Sequence, residues 1–230
     1  MPMESKGLRI RVTRESDAAA VLKIYAPYIT DTVVTFEYEV PELAEFEQRM
    51  ATIQRDLPWL VCEVNGDAGS GEGEGEDADA GGTIVGYAYA SHFRERKAYD
   101  WSVDLSVYID SDWHGQGIGM ALYTCLIEAL KLQGYYNAYG GITMPNEKSV
   151  RLHEKFGFRE VANYEHVGFK HGRWLDVKWY GMALAPTSEA AGGETAPKQP
   201  KPPTPFSEIE RSAAMRGIFD RTIEEFIFMK

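Results

Sequence analysis

Two cysteines in 230 residues are too few for a disulfide framework or a thiolate metal site, and no metal is expected. Cys62 lies in a strand-like WLVCEV and Cys125 on the apolar side of a helical stretch, so both read as small core hydrophobes. No apolar run approaches the ~20 residues that a membrane span requires. The opening MPMESKGLRIRV lacks the apolar segment of a secretory signal. A cytoplasmic protein with no membrane partner is expected. Basic residues are also scarce: 24 Lys and Arg face 35 Asp and Glu, and the formal charge of -11 argues against a nucleic-acid partner.

What is present falls into one main domain, residues 1–184, and a tail. Residues 66–82, GDAGSGEGEGEDADAGG, have no periodicity and no large apolar side chain. They read as a flexible solvated loop lengthening a hairpin between WLVCEV and TIVGYAYA, with an acidic partner-binding segment as the alternative. Residues 185–205 are rich in Pro, Ala and Gly and read as a linker. In 206–230, Met215, Ile218, Phe219, Thr222, Ile223 and Phe226 recur at helical spacing, predicting an amphipathic helix that docks on the core or on a partner subunit.

Within the domain, LRIRV alternates as a strand, and Ser16 and Asp17 are placed to cap a helix carrying Val21, Leu22 and Tyr25. Leu43, Phe46, Met50, Ile53 and Leu57 make one apolar helical stripe. Leu105, Val107 and Ile109 alternate against Asp104, Ser106 and Tyr108, giving a strand with one face for the core and one for a ligand. Ile118, Ala121, Leu122, Cys125, Leu126 and Ala129 form a further stripe ended by Gly134, and Asn146 can cap a short helix, NEKSVRLHEKF. The order of elements is that of an α+β protein rather than a doubly wound parallel sheet.

Between the alternating strand and the next helix stands DWHGQGIGMALY, with glycine at 115, 117 and 119. A helix begins with N–H groups that have no carbonyl partner and carries a partial positive charge at that end. Bare glycines there let a phosphate approach and permit positive φ, so a pyrophosphate suits this turn. A Walker loop would need Lys and Ser or Thr where Met120 and Ala121 stand, and the spacing is not that of a Rossmann fingerprint. A glycine-rich turn with no ligand is the remaining alternative.

The segment His114-Gly115-Gln116-Gly117-Ile118-Gly119 resembles the acetyl-CoA pyrophosphate loop of the GCN5-related N-acetyltransferase (GNAT) superfamily, Q/R-x-x-G-x-G/A, with His114 where Gln or Arg is usual. TFEYEVP, PWLVCEV, GYAYA, AYDWSVDLSVYID, MPNEKSVRLHEKFGF and VGFKHGRWLDV narrow the resemblance to the phosphinothricin and methionine sulfoximine N-acetyltransferase branch, from about Leu8 to Leu184. It implies a central mixed, mostly antiparallel twisted sheet with splayed middle strands, flanked by helices. It also implies acetyl-CoA as co-substrate, a small amine substrate and a homodimer.

The same resemblance implies roles for residues. Asp104 takes the place of the general base, usually Glu; being one methylene shorter, it is expected to act through water, with simple pairing to a cation as the alternative. Backbone N–H groups of Val107, Tyr108 and Ile109 are implied to face the gap between the splayed strands and to hold the acetyl carbonyl and pantetheine arm. Gln116, Ile118 and Met120 belong with the loop, Asn146 and Ser149 with the coenzyme site. His153 stands where a Tyr often protonates the leaving thiolate; a structural histidine is the alternative. Arg94, Arg96 and Tyr99 match the substrate-binding connection, best at Arg96 and Tyr99, with Phe36 and Glu37 at the pocket wall. Acetylation of another amine, a polyamine or protein N-terminus, and a coenzyme-binding sensor without turnover are the competing functions.

Overall fold

The strand pattern resolves into one seven-stranded sheet. Its strands are β1 (Leu8–Val12), β2 (Trp59–Val64), β3 (Thr83–His92), β4 (Ser102–Ile109), β5 (Asn137–Thr143), β6 (Arg159–Lys170) and β7 (Arg173–Ala183), in the order 1-2-3-4-5-7-6. The computed structural model describes residues 7–64, 82–186 and 200–228, so the expected acidic loop, Gly82 apart, and most of the expected linker lie outside the described residues. Every described pairing is antiparallel except β4 with β5. The β6–β7 hairpin turns tightly at His171 and Gly172, both at positive φ, which matches the right-handed twist of its strands.

Two apolar layers cover the sheet. On one face, α1 (Ala18–Thr30) and α2 (Leu43–Gln54) bury Val21, Ile24, Tyr25, Phe46 and Met50 against Trp59, Val61 and Tyr87. On the other, α3 (Ile118–Gln133) buries Leu122, Cys125, Leu126 and Ala129. Gly117 opens α3 in the left-handed region and Gly134 closes it at φ +91°, its N–H reaching back to Leu130 and Lys131. Both cysteines are buried free thiols, pushed up to about 12 at Cys62 and about 11 at Cys125 by burial.

The tail closes the second layer on the chain's own core. After an extended run, α5 (Phe206–Ile209) and α6 (Ala213–Phe228) place Phe206, Met215 and Ile218 in the cluster with α3. Thr204 and Gln133 exchange bonds of 2.8 Å, and Phe206 N–H donates to the Asp56 carbonyl at 3.0 Å. The expected Phe226 contact lies outside the described side chains.

One capping expectation is corrected. The Asp17 carboxylate makes no cap bond to α1 and is buried against Arg11, at 2.6 and 3.0 Å, while Arg11 Nε donates to Glu63 at 2.8 Å. A buried guanidinium needs charged partners more than a helix end, which water can satisfy, needs a cap. Among the described residues no helix is long and apolar enough to cross a membrane.

Candidate active site

The middle of the sheet opens at Asp104. β4 and β5 pair only from Ser102 with Asn137 to Asp104 with Tyr139, and beyond that both strands continue apart. In an antiparallel pair, alternate residues turn their backbone groups toward the partner. Asp110 N–H donates to Val85 O at 2.9 Å, and the register sets Tyr108 opposite Tyr87. The backbone of Tyr108 is therefore spent on β3, and only Val107 and Ile109 of the expected trio face the gap. Ile109 is itself engaged: the Tyr28 hydroxyl donates to its carbonyl at 2.6 Å and lies 3.3 Å from its N–H. Val107 is left as the open amide.

Asp104 projects to the face covered by α1 and α2, in register with Ser91 and Tyr139. Its Oδ1 is buried without a hydrogen-bond partner. Burial pushes the carboxyl up to about 7, with Arg94 pulling the other way. Arg94 lies over Phe93 at 4.5 Å and Trp179 at 5.6 Å, and Phe93 stacks on Tyr139 at 4.5 Å. Tyr99 meets Phe93 edge-on at 5.8 Å, whereas Arg96 is exposed at the start of the turn Lys97–Tyr99. Arg94 is thus the arginine in electrostatic reach of Asp104.

The opposite wall comes from residues 35–37. The Phe36 ring fills the space that a side chain at Gly168 would occupy. Glu37 Oε1 accepts from Arg49 at 2.6 Å and from the Tyr25 hydroxyl at 3.1 Å. Lys170, buried, donates to the Thr35 carbonyl at 2.7 Å, so the β6–β7 hairpin buttresses this wall.

His153, on α4 (Glu147–Lys155), lies on the other face of the sheet. Its ring packs against bare Gly140, whose neighbour Tyr139 shares the face of Asp104. Nδ1 is 2.8 Å from the Ser149 carbonyl and so carries the proton; Nε2 accepts from Tyr123 at 3.1 Å. Burial lowers its pKa against the Ser149 bond. The imidazolium expected to protonate a thiolate is therefore disfavoured, because both nitrogens already serve the neutral ring. Protons bind the unfolded chain more readily here, so stability should fall as pH drops below ~6.5. Comparing melting temperatures at pH 7.5 and 5.5 checks this: His153→Gln should flatten the fall, and an unchanged slope would refute it.

At the glycine turn, Gly115 and Gly117 adopt φ +74° and +84°, and a Cβ at Gly115 would meet nothing within 4 Å. Gly119 faces Leu152 at 3.7 Å, and Ala121 N–H is bonded to Gly117 O, so the amides of Ile118, Gly119 and Met120 precede the helical ladder. Bare backbone and unladdered amides fit a pyrophosphate. Gln116 donates to Asp112 O at 3.3 Å, and Asn146 caps α4 by accepting from Ser149 N–H at 3.2 Å. His114 does not point along the turn: Nε2 lies 3.0 Å from both the Tyr28 hydroxyl and the Ile109 carbonyl.

Residues 10–179 match the model of the acetyltransferase (GNAT) domain family. The chain belongs to the GNAT acetyltransferase family. A Streptomyces coelicolor protein named phosphinothricin N-acetyltransferase is 37% identical over 77% of this chain and 96% of its own. One from Salmonella typhimurium, named L-methionine sulfoximine/L-methionine sulfone acetyltransferase, is 29% identical over 77% and 95%. The crystal structure of a Sinorhizobium meliloti phosphinothricin acetyltransferase in complex with acetyl-CoA superposes with a TM-score of 0.71 at 29% identity, covering 86% of this chain and 98% of that one.

Sequence reasoning missed several residues that shape this acetyltransferase's site. Tyr28 and Arg49 sit on helices, where a polar group beside an apolar stripe reads as a solvated side chain. Phe93, Tyr123 and Trp179 are aromatic residues to which the sequence alone assigns no role. Several of their partners are distant in sequence: Ile109 for Tyr28, His153 for Tyr123 and Arg94 for Trp179.

Proposed function

We propose that the protein transfers the acetyl group of acetyl-CoA to the amino group of a small amino acid of the phosphinothricin or methionine sulfoximine type. The observation that carries this is Asp104: a half-buried carboxylate with one buried, unpartnered oxygen, pushed up to about 7 by burial, at the mouth of the splay and in electrostatic reach of an arginine. A base must be deprotonated at working pH and still accept a proton, and a value near neutrality meets both needs. Asp104 takes a proton from the substrate ammonium through one water, leaving the free amine to attack. The coenzyme supplies an activated acetyl thioester. Val107 N–H and the amides of the glycine turn, Gly115 to Met120, with Asn146 and Ser149 beside them, are the groups that would hold it.

Arg94 is proposed to bind an anionic oxygen of the amino acid, supported by its exposure and its aromatic shelf; Arg96 and Tyr99 rim the same side, and Phe36 and Glu37 close the other. A homodimer is also proposed. β6 is an edge strand whose Val161, Val167 and Phe169 are exposed, with Trp174 of β7 beside them, and a second copy would cover these apolar groups. Buried free thiols suit a reducing cytoplasm.

The test is free-thiol release from acetyl-CoA by the purified protein with phosphinothricin, methionine sulfoximine and spermidine. Turnover of either amino acid but not the polyamine is expected, since Arg94 repels a polycation. Turnover of spermidine alone would overturn the substrate assignment, and acetyl-CoA binding with no turnover would favour a sensor.

A further inference from the structure

The departure from the family's loop pattern at His114 has a structural counterpart on α1. The Tyr28 hydroxyl has one hydrogen, and at 2.6 Å it goes to the Ile109 carbonyl. Its lone pairs then face Ile109 N–H at 3.3 Å and His114 Nε2 at 3.0 Å. His114 Nε2 is also 3.0 Å from the Ile109 carbonyl, and a carbonyl only accepts, so Nε2 carries the ring proton. Four polar groups from three places in the chain close on one another at the end of β4. The Tyr28 ring is held as well, edge-on to Tyr108 at 5.1 Å.

This cluster stands between the two parts of the coenzyme site. Val107, the open amide in the gap, is two residues before Ile109; Gly115, the first bare glycine of the turn, follows His114 directly. A strand end is ordinarily free to fray, and a glycine-rich turn is flexible by nature. A pyrophosphate and a pantetheine arm belong to one ligand that must engage both places at once, and disorder in either raises the cost of binding.

We propose that Tyr28 is a positioning residue for coenzyme binding: its hydroxyl, with His114 as second tooth, clasps the end of β4 to the start of the glycine turn. The proposal rests on acetyl-CoA being the ligand of this turn. His114 on this view has exchanged a phosphate contact for one that preorganises the loop, so the substitution of the usual Gln or Arg does not leave the turn without a function at that position.

Calorimetric titration of acetyl-CoA into the full-length protein, Tyr28→Phe, His114→Ala and the double variant tests this without depending on turnover. Each single variant should weaken binding roughly tenfold, the scale of one lost hydrogen bond in a coupled cluster, and the double variant little further, since the two groups act as one unit. Steady-state rates for Tyr28→Phe should place the loss in KM for acetyl-CoA rather than in kcat, a split that mere loss of folded protein would not produce. His114 is exposed, so His114→Ala reports even if Tyr28→Phe misfolds. Unchanged affinity, losses that add in full, or tighter binding in Tyr28→Phe would each overturn the proposal, the last by showing that the hydroxyl competes with coenzyme. Failure of the unaltered protein to bind acetyl-CoA would instead sink the assignment of the turn.

Discussion

Asp104→Asn should lower kcat by roughly 10²- to 10⁴-fold, the range for loss of a general base, and leave acetyl-CoA affinity unchanged. The same substitution should make the protein more stable at pH 8. The folded-state value of about 7 lies above the ordinary 3.8, so the native protein binds the extra proton more tightly than the unfolded chain does. Stability from this group is therefore present at low pH and lost as pH rises from ~4 through ~7. Above that range the buried charge costs roughly 4 kcal/mol, about 1.4 kcal/mol for each pH unit between the two values. Asparagine keeps the shape without the charge and should raise the melting temperature by several degrees. Activity runs oppositely: kcat/KM should climb through pH ~7 as Asp104 ionises, and the variant's residual rate should lose that limb. Equal destabilisation and inactivation would instead mark Asp104 as a structural ion-pair partner, the alternative its sequence leaves open.

Asp104 was legible from sequence, while its surroundings were not. Alternation over Leu105, Val107 and Ile109 fixes which side chains share a face, and it put Asp104 on the ligand face before any partner was known. The glycines at 115, 117 and 119 and the stripe after them are also short-range signals, each contained in one turn or one helix. Alternation also disposes of Tyr108 as a gap-facing amide, because adjacent residues in a strand cannot turn their N–H groups the same way.

What pattern did not disclose are contacts between elements far apart in the chain. Tyr28 reaches Ile109, 81 residues on, and Lys170 reaches Thr35, 135 residues back. Arg94 differs from Arg96 in the aromatic shelf beneath it, made by Phe93 just after β3 and by Trp179 of β7. His153 is the sharpest case. Its place in the helix was readable, but its protonation follows from Tyr123, the Ser149 carbonyl and the bare face of Gly140, which meet only once β5 and two helices pack. Electrostatics of a site is a property of burial, and burial is decided by the whole fold.

Deletion of everything after Leu184 should abolish cooperative folding rather than adjust Michaelis constants. Had the tail covered the pocket, KM would be the sensitive quantity; it lies instead with α3, where Phe206 and Met215 are fully buried and Ile218 is 7% exposed. At ~1.5–3 kcal/mol for each buried side chain of this kind, the three represent about 5–9 kcal/mol, comparable with the ~5–15 kcal/mol that holds a typical domain folded. The deletion would also uncover the side of α3 against which α6 packs and remove the bonds from Thr204 to Gln133 and from Phe206 to Asp56. Met215→Ala alone should cost ~2–5 kcal/mol, the range for truncation in a closed core. A smaller effect on the site follows by one route. Trp101 Nε1 donates to the Lys201 carbonyl at 2.7 Å, and the Trp101 carbonyl takes Tyr136 and Asn137 N–H at 2.9 and 3.2 Å, at the root of the β4–β5 pair that opens at Asp104. Chemical denaturation of the deletion and of Met215→Ala decides the matter: unfolding midpoints that match the intact protein, with only KM displaced, would show that the tail contributes to the site and not to the core.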